Sequence, residues 1–171
     1  MSKGHVILSH GLNSSPDATK VTAMAEVAES LGWSTERPDY SDLDASGDIM
    51  KLHDRLERLL QRARAVDGPL VLAGSSMGAF ISALASLQVD CLGLHLLVPP
   101  PRLQGFPLVL DAAEVPIEII HAWNDELIPV ADVIAWAQAR QARLILVPDA
   151  HRLEQHVDYS AQAFGRFLAE L

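Results

Sequence analysis

The sequence predicts an α/β fold, a mostly parallel six-stranded sheet with helices on both faces, and three observations lead there. Short apolar runs alternate with longer segments of helical period, the pattern of βαβ units around a buried parallel sheet. The runs are Val6 to Ser9, Trp33 to Arg37, Leu70 to Gly74, Leu92 to Val98, Ile117 to His121 and Leu144 to Val147. The 171 residues, 49% of them apolar, suit one domain spanning 1–171 that buries roughly 70% of its unfolded surface.

The first strand leads into a polar turn, after which Val21, Met24, Ala25, Ala28 and Leu31 recur at helical spacing. Ser15-Pro16 offers a cap and first turn for this helix, and Gly32 stops it. After the second strand, a helix from Asp48 to Ala65 places Ile49, Leu52, Leu56, Leu59, Leu60 and Ala63 on one face. Asp54 and Arg58 pair at i, i+4 on its other, solvated face, and Gly68-Pro69 ends it. The third strand runs directly into a helix from Met77 to Leu87. The fourth is followed by 98–114, where Pro99, Pro100, Pro101, Gly105 and Pro107 forbid a long helix. Helices from Val130 to Arg140 and from Leu153 to Glu170 follow the last two strands.

Thirteen Lys and Arg against 22 Asp and Glu give a net charge of −9, a field that repels nucleic acid and anionic membranes. No apolar stretch approaches a membrane span, and the apolar run near the N-terminus is too short for a signal peptide. The lone Cys91 has no partner for an internal disulfide, so a cytoplasmic location is expected. No metal is expected either: neither H-E-x-x-H nor a paired C-x-x-C occurs. His5, His53 and His95 read as surface or core residues, and Trp33, Trp123 and Trp136 as packing.

Chemistry concentrates where strands end. Gly74-Ser75-Ser76-Met77-Gly78 fits G-x-S-x-G in one frame, which singles out Ser76 over Ser75. A strand that turns at once into a helix holds its apical residue strained and exposed, and the flanking glycines permit the close packing this needs. The turn Ser9-His10-Gly11-Leu12-Asn13-Ser14-Ser15 lies at the same sheet edge. Stabilising an oxyanion takes two N–H donors, and the amides of Leu12 and Met77 are the candidates. Serine needs a base and an orienting carboxylate. His151, past the sixth strand, and Asp125, in the loop past the fifth, stand at that edge in the order Ser76, Asp125, His151. His156 is a rival base, and Asp149 and Asp132 are rival acids.

Ser9-His10-Gly11, Gly74 to Gly78, His121 to Pro129 and Ala150-His151 resemble the motifs of the α/β-hydrolase superfamily. His10 to Pro16 and Pro38-Asp39-Tyr40 are similar to segments of its small bacterial serine esterases with little or no lid. The resemblance covers nearly the whole chain. It implies a compact α/β-hydrolase that lacks the first two strands of the usual eight and whose cap is reduced to 98–114. It further implies a nucleophile at Ser76, an acid at Asp125, a base at His151, oxyanion donors at Leu12 and Met77, and no cofactor. The expected reaction is cleavage of a small-molecule carboxylic ester through an acyl-enzyme. A thioesterase or small peptidase with the same triad, or a catalytically silent binding module, are the alternatives. Asn13, Phe106, Leu127 and Ile128 are expected to line a shallow pocket for short acyl chains. The net charge should disfavour anionic substrates unless a basic patch around Arg102 reverses the field.

Overall fold

The computed structural model describes residues 1–171. Strands β1 (His5–Ser9), β2 (Ser34–Glu36), β3 (Leu70–Ser75), β4 (Gly93–Leu97), β5 (Ile117–Ala122) and β6 (Arg143–Val147) form one sheet in the order β2-β1-β3-β4-β5-β6. Every pairing is parallel. The chain winds from β1 outward to β2, then crosses back to β3 and proceeds the other way. The order therefore reverses between β1 and β3, and a crevice opens at their carboxyl ends, where α/β sheets bind ligands. Register pairs Ser9 with Gly74, so the polar turn after β1 and the glycine-flanked serines after β3 emerge side by side.

Alternation along the buried strands divides the core. Ile7, Leu72, Leu94, Leu96 and Ile119 point to one face, where α3 (Leu52–Arg64), α4 (Met77–Ala85) and α5 (Val130–Arg140) pack. Val6, Leu8, Val71, Ala73, Leu97 and Ile120 point to the other, covered by α1 (Thr19–Ser30) and α6 (Val157–Glu170). Because both faces are covered, the strands are apolar on both sides, which explains why they read as continuous runs.

Several element boundaries differ from the sequence expectation for local reasons. Helix α1 begins at Thr19, because Ser15 instead closes its own turn: its Oγ accepts from the Asp17 N–H at 3.2 Å and its carbonyl from the Ala18 N–H at 3.1 Å. The segment from Asp48 starts as a 3₁₀ turn over Ile49–Lys51, capped by Asp48 Oδ1 on the Met50 N–H at 2.9 Å, before α3 begins. A short helix, α2 (Ser41–Asp44), had no sequence signal of its own. It draws Arg58 away from Asp54: the guanidinium forks onto Asp42 at 2.6 and 3.0 Å. Helix α6 starts at Val157, since the buried Leu153 adopts φ +52° in the preceding loop.

Segment 98–114 contains no helix or strand, as its prolines predict. It is pinned from below rather than hinged. Trp136 Nε1–H donates to the Leu110 carbonyl at 2.9 Å, Arg140 to the Ala112 carbonyl at 3.0 Å, and the Ala113 N–H to Ser86 Oγ at 2.9 Å. Phe106, Leu110 and Ala112 are buried against α4 and α5.

Helix α4 crosses the end of β1 at backbone distance. A Cβ at Gly78 would overlap the Ser9 carbonyl and lie 2.6 Å from the His10 oxygen, and one at Gly74 would lie 2.5 Å from the Gly78 oxygen. Gly78→Ala is expected to destabilise the fold by roughly 3 kcal/mol or more, beyond ordinary overpacking because the obstructing atoms are backbone. Urea unfolding monitored by circular dichroism measures this.

Candidate active site

Ser76 sits at the tip of the turn between β3 and α4 with φ +55° and ψ −116°, a conformation that non-glycine residues seldom adopt. Hydrogen bonds hold it there: its N–H donates to the Leu97 carbonyl at 2.8 Å, and its carbonyl accepts from the Phe80 N–H at 3.0 Å. The hydroxyl is thereby aimed out of the sheet edge, and Ser76 Oγ lies 3.0 Å from His151 Nε2. On the other side of that ring, Nδ1 lies 2.7 Å from Asp125 Oδ2.

The Asp125 side chain is fully buried, yet well supplied with donors. Its Oδ1 accepts from the N–H groups of Leu127 at 2.9 Å and Ile128 at 2.8 Å, leaving Oδ2 for the imidazole. A carboxylate so placed accepts the Nδ1–H, which leaves Nε2 unprotonated toward the serine. His121 stands behind this loop. It is buried, its Nε2–H donates to the Ile128 carbonyl at 3.1 Å, and Nε2 is 3.6 Å from Asp125 Oδ2. Burial keeps its pKa below the ordinary imidazole value, so it braces the loop as a neutral ring.

The rival residues pair with one another. His156 Nδ1 lies 2.8 Å from Asp149 Oδ2, which also accepts from the Gln155 N–H at 3.0 Å. Asp149 Oδ1 takes the Ala150 N–H at 2.7 Å, so Asp149 closes the turn that carries His151 and does not reach that ring. Asp132 is exposed in the first turn of α5.

Gly11 lies against the elbow, where a Cβ would stand 3.5 Å from the Ser75 carbonyl and 3.7 Å from Ser76 Cβ. Leu12 follows Gly11 and Met77 follows Ser76, and the amides of both donate to no group within the protein. What holds the Leu12 peptide in place is a residue that the sequence reading overlooked. Arg55, 1% exposed, binds Asp44 through Nε and Nη2, each at 2.8 Å, and donates to the carbonyls of His10 and Gly11, each at 3.0 Å. Asp44 Oδ2 in turn accepts the Asn13 N–H at 3.0 Å, and Asn13 takes φ +57°. Residues on both sides of Leu12 are thus tied to one buried ion pair. A signal existed: Arg55 falls three residues after Leu52 and four before Leu59, within the apolar stripe of α3.

His10 completes the loop. Its Nε2 accepts the Tyr40 N–H at 2.9 Å, so the ring proton must be on Nδ1, which donates to the Gly11 carbonyl at 2.7 Å. Both nitrogens are spoken for by a neutral ring, and burial lowers the pKa accordingly. The Tyr40 hydroxyl meets Ser9 Oγ at 2.9 Å, and Arg55 stacks over the Tyr40 ring at 4.5 Å.

A cavity of about 1000 Å³ opens over Ser76 and His151. Leu12, Asn13, Met77, Leu127 and Ile128 line it as expected. Phe106 does not: it packs into the core beside Phe80 and His53, with ring centroids at 6.0 and 4.7 Å. Pro100, Arg102, Leu103 and Gln104 of 98–114 line one part of the cavity, while residues 110–113 of the same segment are fastened to Ser86, Trp136 and Arg140. No group of three or more His, Cys, Asp or Glu side chains is arranged to hold a metal, and no helix is long and apolar enough to cross a membrane.

The chain is similar over 99% of its length, and 100% of the other's, to a crystal structure from Xanthomonas campestris pv. campestris assigned to the alpha/beta superfamily of hydrolases, with 57% identity and a TM-score of 0.95. Est1E from Butyrivibrio proteoclasticus matches 99% of the chain with 88% of its own, at 21% identity and a TM-score of 0.78. A lid-less α/β serine hydrolase from Xanthomonas campestris matches 97% of the chain with 81% of its own, at 20% identity and a TM-score of 0.73. The last two likenesses speak to the fold alone. No protein-family model and no curated protein sequence matches the chain.

Two outcomes follow from the buried groups. Arg55→Met strands the Asp44 carboxylate without its cation and should cost about 3–5 kcal/mol in urea unfolding, whereas Arg55→Met with Asp44→Leu should recover part of that loss. His10, His95 and His121 are all held below the ordinary imidazole pKa, in each case chiefly by burial. Unfolding restores the ordinary value of about 6.5, so below that pH the unfolded chain takes up protons that the folded chain refuses. Stability should therefore be full above about pH 6.5 and decline toward pH 5.5, measured by unfolding at a series of pH values.

Proposed function

We propose that this chain, which belongs to the α/β-hydrolase superfamily, is a serine hydrolase that cleaves small carboxylic esters through an acyl-enzyme. The observation that carries the reading is the continuous path from Asp125 Oδ2 through His151 to Ser76 Oγ, with links of 2.7 and 3.0 Å, beside two amides free to donate. In this reading Ser76 Oγ attacks the ester carbonyl while His151 Nε2 takes its proton. The developing oxyanion accepts from the Leu12 and Met77 N–H groups. Asp125 keeps the imidazole in its reactive tautomer and stabilises the imidazolium. Collapse expels the alcohol, protonated by His151. Water, deprotonated by the same ring, then releases the carboxylic acid and restores Ser76.

Thioesters and small amides present the same carbonyl to the same groups, so acyl transfer is the firmer part of the proposal and the leaving group the finer part. A silent binding module would have no need of a buried, doubly supported Asp125 aligned on an imidazole beside a strained serine.

A fluorophosphonate probe should label Ser76 alone, identified by peptide mapping. Ser76→Ala should abolish labelling and hydrolysis with little change in melting temperature, and Ser75→Ala should retain substantial activity. Label on Ser75, or equal loss in both variants, contradicts the assignment. Asp125→Asn should lower single-turnover acylation by on the order of 10⁴, while Asp149→Asn and Asp132→Asn change it far less. A collapse in either of the latter with near-normal Asp125→Asn would mean that another carboxylate orients the base.

A further inference from the structure

Most cations of this chain are neutralised close by. Arg55, Arg58, Arg62, Arg140 and Arg143 each hold a carboxylate. Around the cleft over Ser76 the pattern breaks. Lys20, Arg102 and Arg152 line it, and Glu154 is the one carboxylate among the lining residues. The lining therefore carries a net charge of +2 in a chain whose net charge is −9.

The three cations come from three segments. Lys20 stands in the first turn of α1, half-buried, and its Nζ donates to the Arg152 carbonyl at 2.7 Å. That bond ties the ammonium to the residue next to His151. Burial first, and then the Arg152 guanidinium, hold the Lys20 pKa below its ordinary value. The carboxylates near enough to oppose this are Glu154 and Asp149, and Asp149 is already engaged by His156. Arg152 meets Glu154 at 3.7 Å, both side chains largely in solvent, so that pair is weak. Arg102 projects from the Pro100–Gln104 rim, exposed, with no ion pair or hydrogen bond to any part of the chain. Arg102 thus shares one cavity lining with Lys20 and Arg152.

We infer that the substrate is an ester bearing a negative charge on its acyl or alcohol portion, held by Lys20, Arg102 and Arg152 while its carbonyl lies at Ser76. The inference rests on the serine hydrolase reading for the bond that is cleaved, and on the cleft's charge for the selection. A cleft lined by one sign of charge raises the local concentration of oppositely charged ligand and speeds its capture, even when the molecule as a whole carries the ligand's sign. The rest of the chain, −9 less the +2 of the lining or −11, then acts against anions elsewhere, so that this mouth is where they dock. The apolar contribution of Leu12, Met77, Leu127 and Ile128 suits the carbon chain between the charge and the carbonyl.

Three ethyl esters of one chain length test it: monoethyl adipate, ethyl hexanoate and ethyl 6-aminohexanoate, which end in a carboxylate, a methyl group and an ammonium. A second set, 4-acetoxybutanoate, pentyl acetate and acetylcholine, moves the charge to the alcohol side. In at least one set kcat/KM should fall from anion to neutral to cation, with the anion about tenfold or more above its neutral partner at low salt. That ratio should shrink with added salt, shrink in Arg102→Gln and further in Arg102→Glu, and grow in Glu154→Gln. Equal or reversed ranking in both sets, or a ratio indifferent to the Arg102 substitutions, overturns the inference. If no ester is cleaved and no fluorophosphonate label forms, the hydrolase reading fails separately. The charge preference is then decided by calorimetric binding to Ser76→Ala: monoethyl adipate about tenfold tighter than ethyl hexanoate supports it, and equal affinity overturns it.

Discussion

The arrangement of the site depends on one steric constraint, the passage of α4 across the end of β1 at backbone contact. Gly78 meets the carbonyls of Ser9 and His10, and Gly74 meets Gly78, with no room for a Cβ at either glycine. Parallel strands lie about 4.8 Å apart, which alone would leave the turn after β1 and the turn after β3 as neighbours without locking them together. The glycines remove that slack. Ser76 is consequently presented beside Gly11 and Leu12, and the same contact forces it into a backbone conformation that an L-residue tolerates only when its surroundings impose it. Hydrogen bonds to Leu97 and Phe80 supply the opposing grip.

On the far side of the turn after β1, the gripping element is charged rather than steric. Taking Arg55 and Asp44 out of water is costly, and their attraction alone does not reliably offset it. Here the remaining valences are satisfied as well: the guanidinium reaches two backbone carbonyls, and the carboxylate takes the Asn13 amide. An apolar pair could fill the same volume but could not orient three successive peptide groups. This explains why a buried ion pair stands where a core helix would otherwise carry an aliphatic residue. Tyr40, stacked on Arg55 and bonded to Ser9 and His10, extends the same clamp to the strand end.

The two loops that carry Asp125 and His151 follow a common design. Each closes on its own aspartate through backbone amides: Asp125 on Leu127 and Ile128, Asp149 on Ala150 and Gln155. Each carboxylate also meets a histidine through Oδ2, an oxygen that Asp125 keeps clear of its loop amides and that Asp149 shares with the Gln155 N–H. Asp125 spends it across the gap between loops, on His151, and Asp149 within its own loop, on His156. The difference lies in where the strands deliver them. The loop after β5 approaches the ring from the side, whereas Asp149 and His151 leave one tight turn in different directions.

Much of this was legible in the sequence, because its signals are local. The apolar runs of the strands, the helical spacing of Val21 to Leu31 and the single glycine frame around Ser76 depend on steric rules that act within a few residues. Position at strand ends, chain order and the superfamily resemblance together pointed to Asp125 and His151, with Asp132, Asp149 and His156 as rivals. What the sequence could not disclose were contacts between segments remote along the chain. The place of Arg55 in the apolar stripe of α3 signals burial but not its partners, which the fold sets at His10 and Gly11, 45 and 44 residues away. Arg58 pairs with Asp42 rather than Asp54 because the short helix α2 has no signature apart from its docking. Phe106 entered the core and left the cleft open, since the destination of a proline-rich segment is set by the helices beneath it. The charge of the cleft is the clearest case. Composition sums to −9, but a sum has no positions, and only the fold brings Lys20, Arg102 and Arg152 from three distant segments to the one cavity over Ser76.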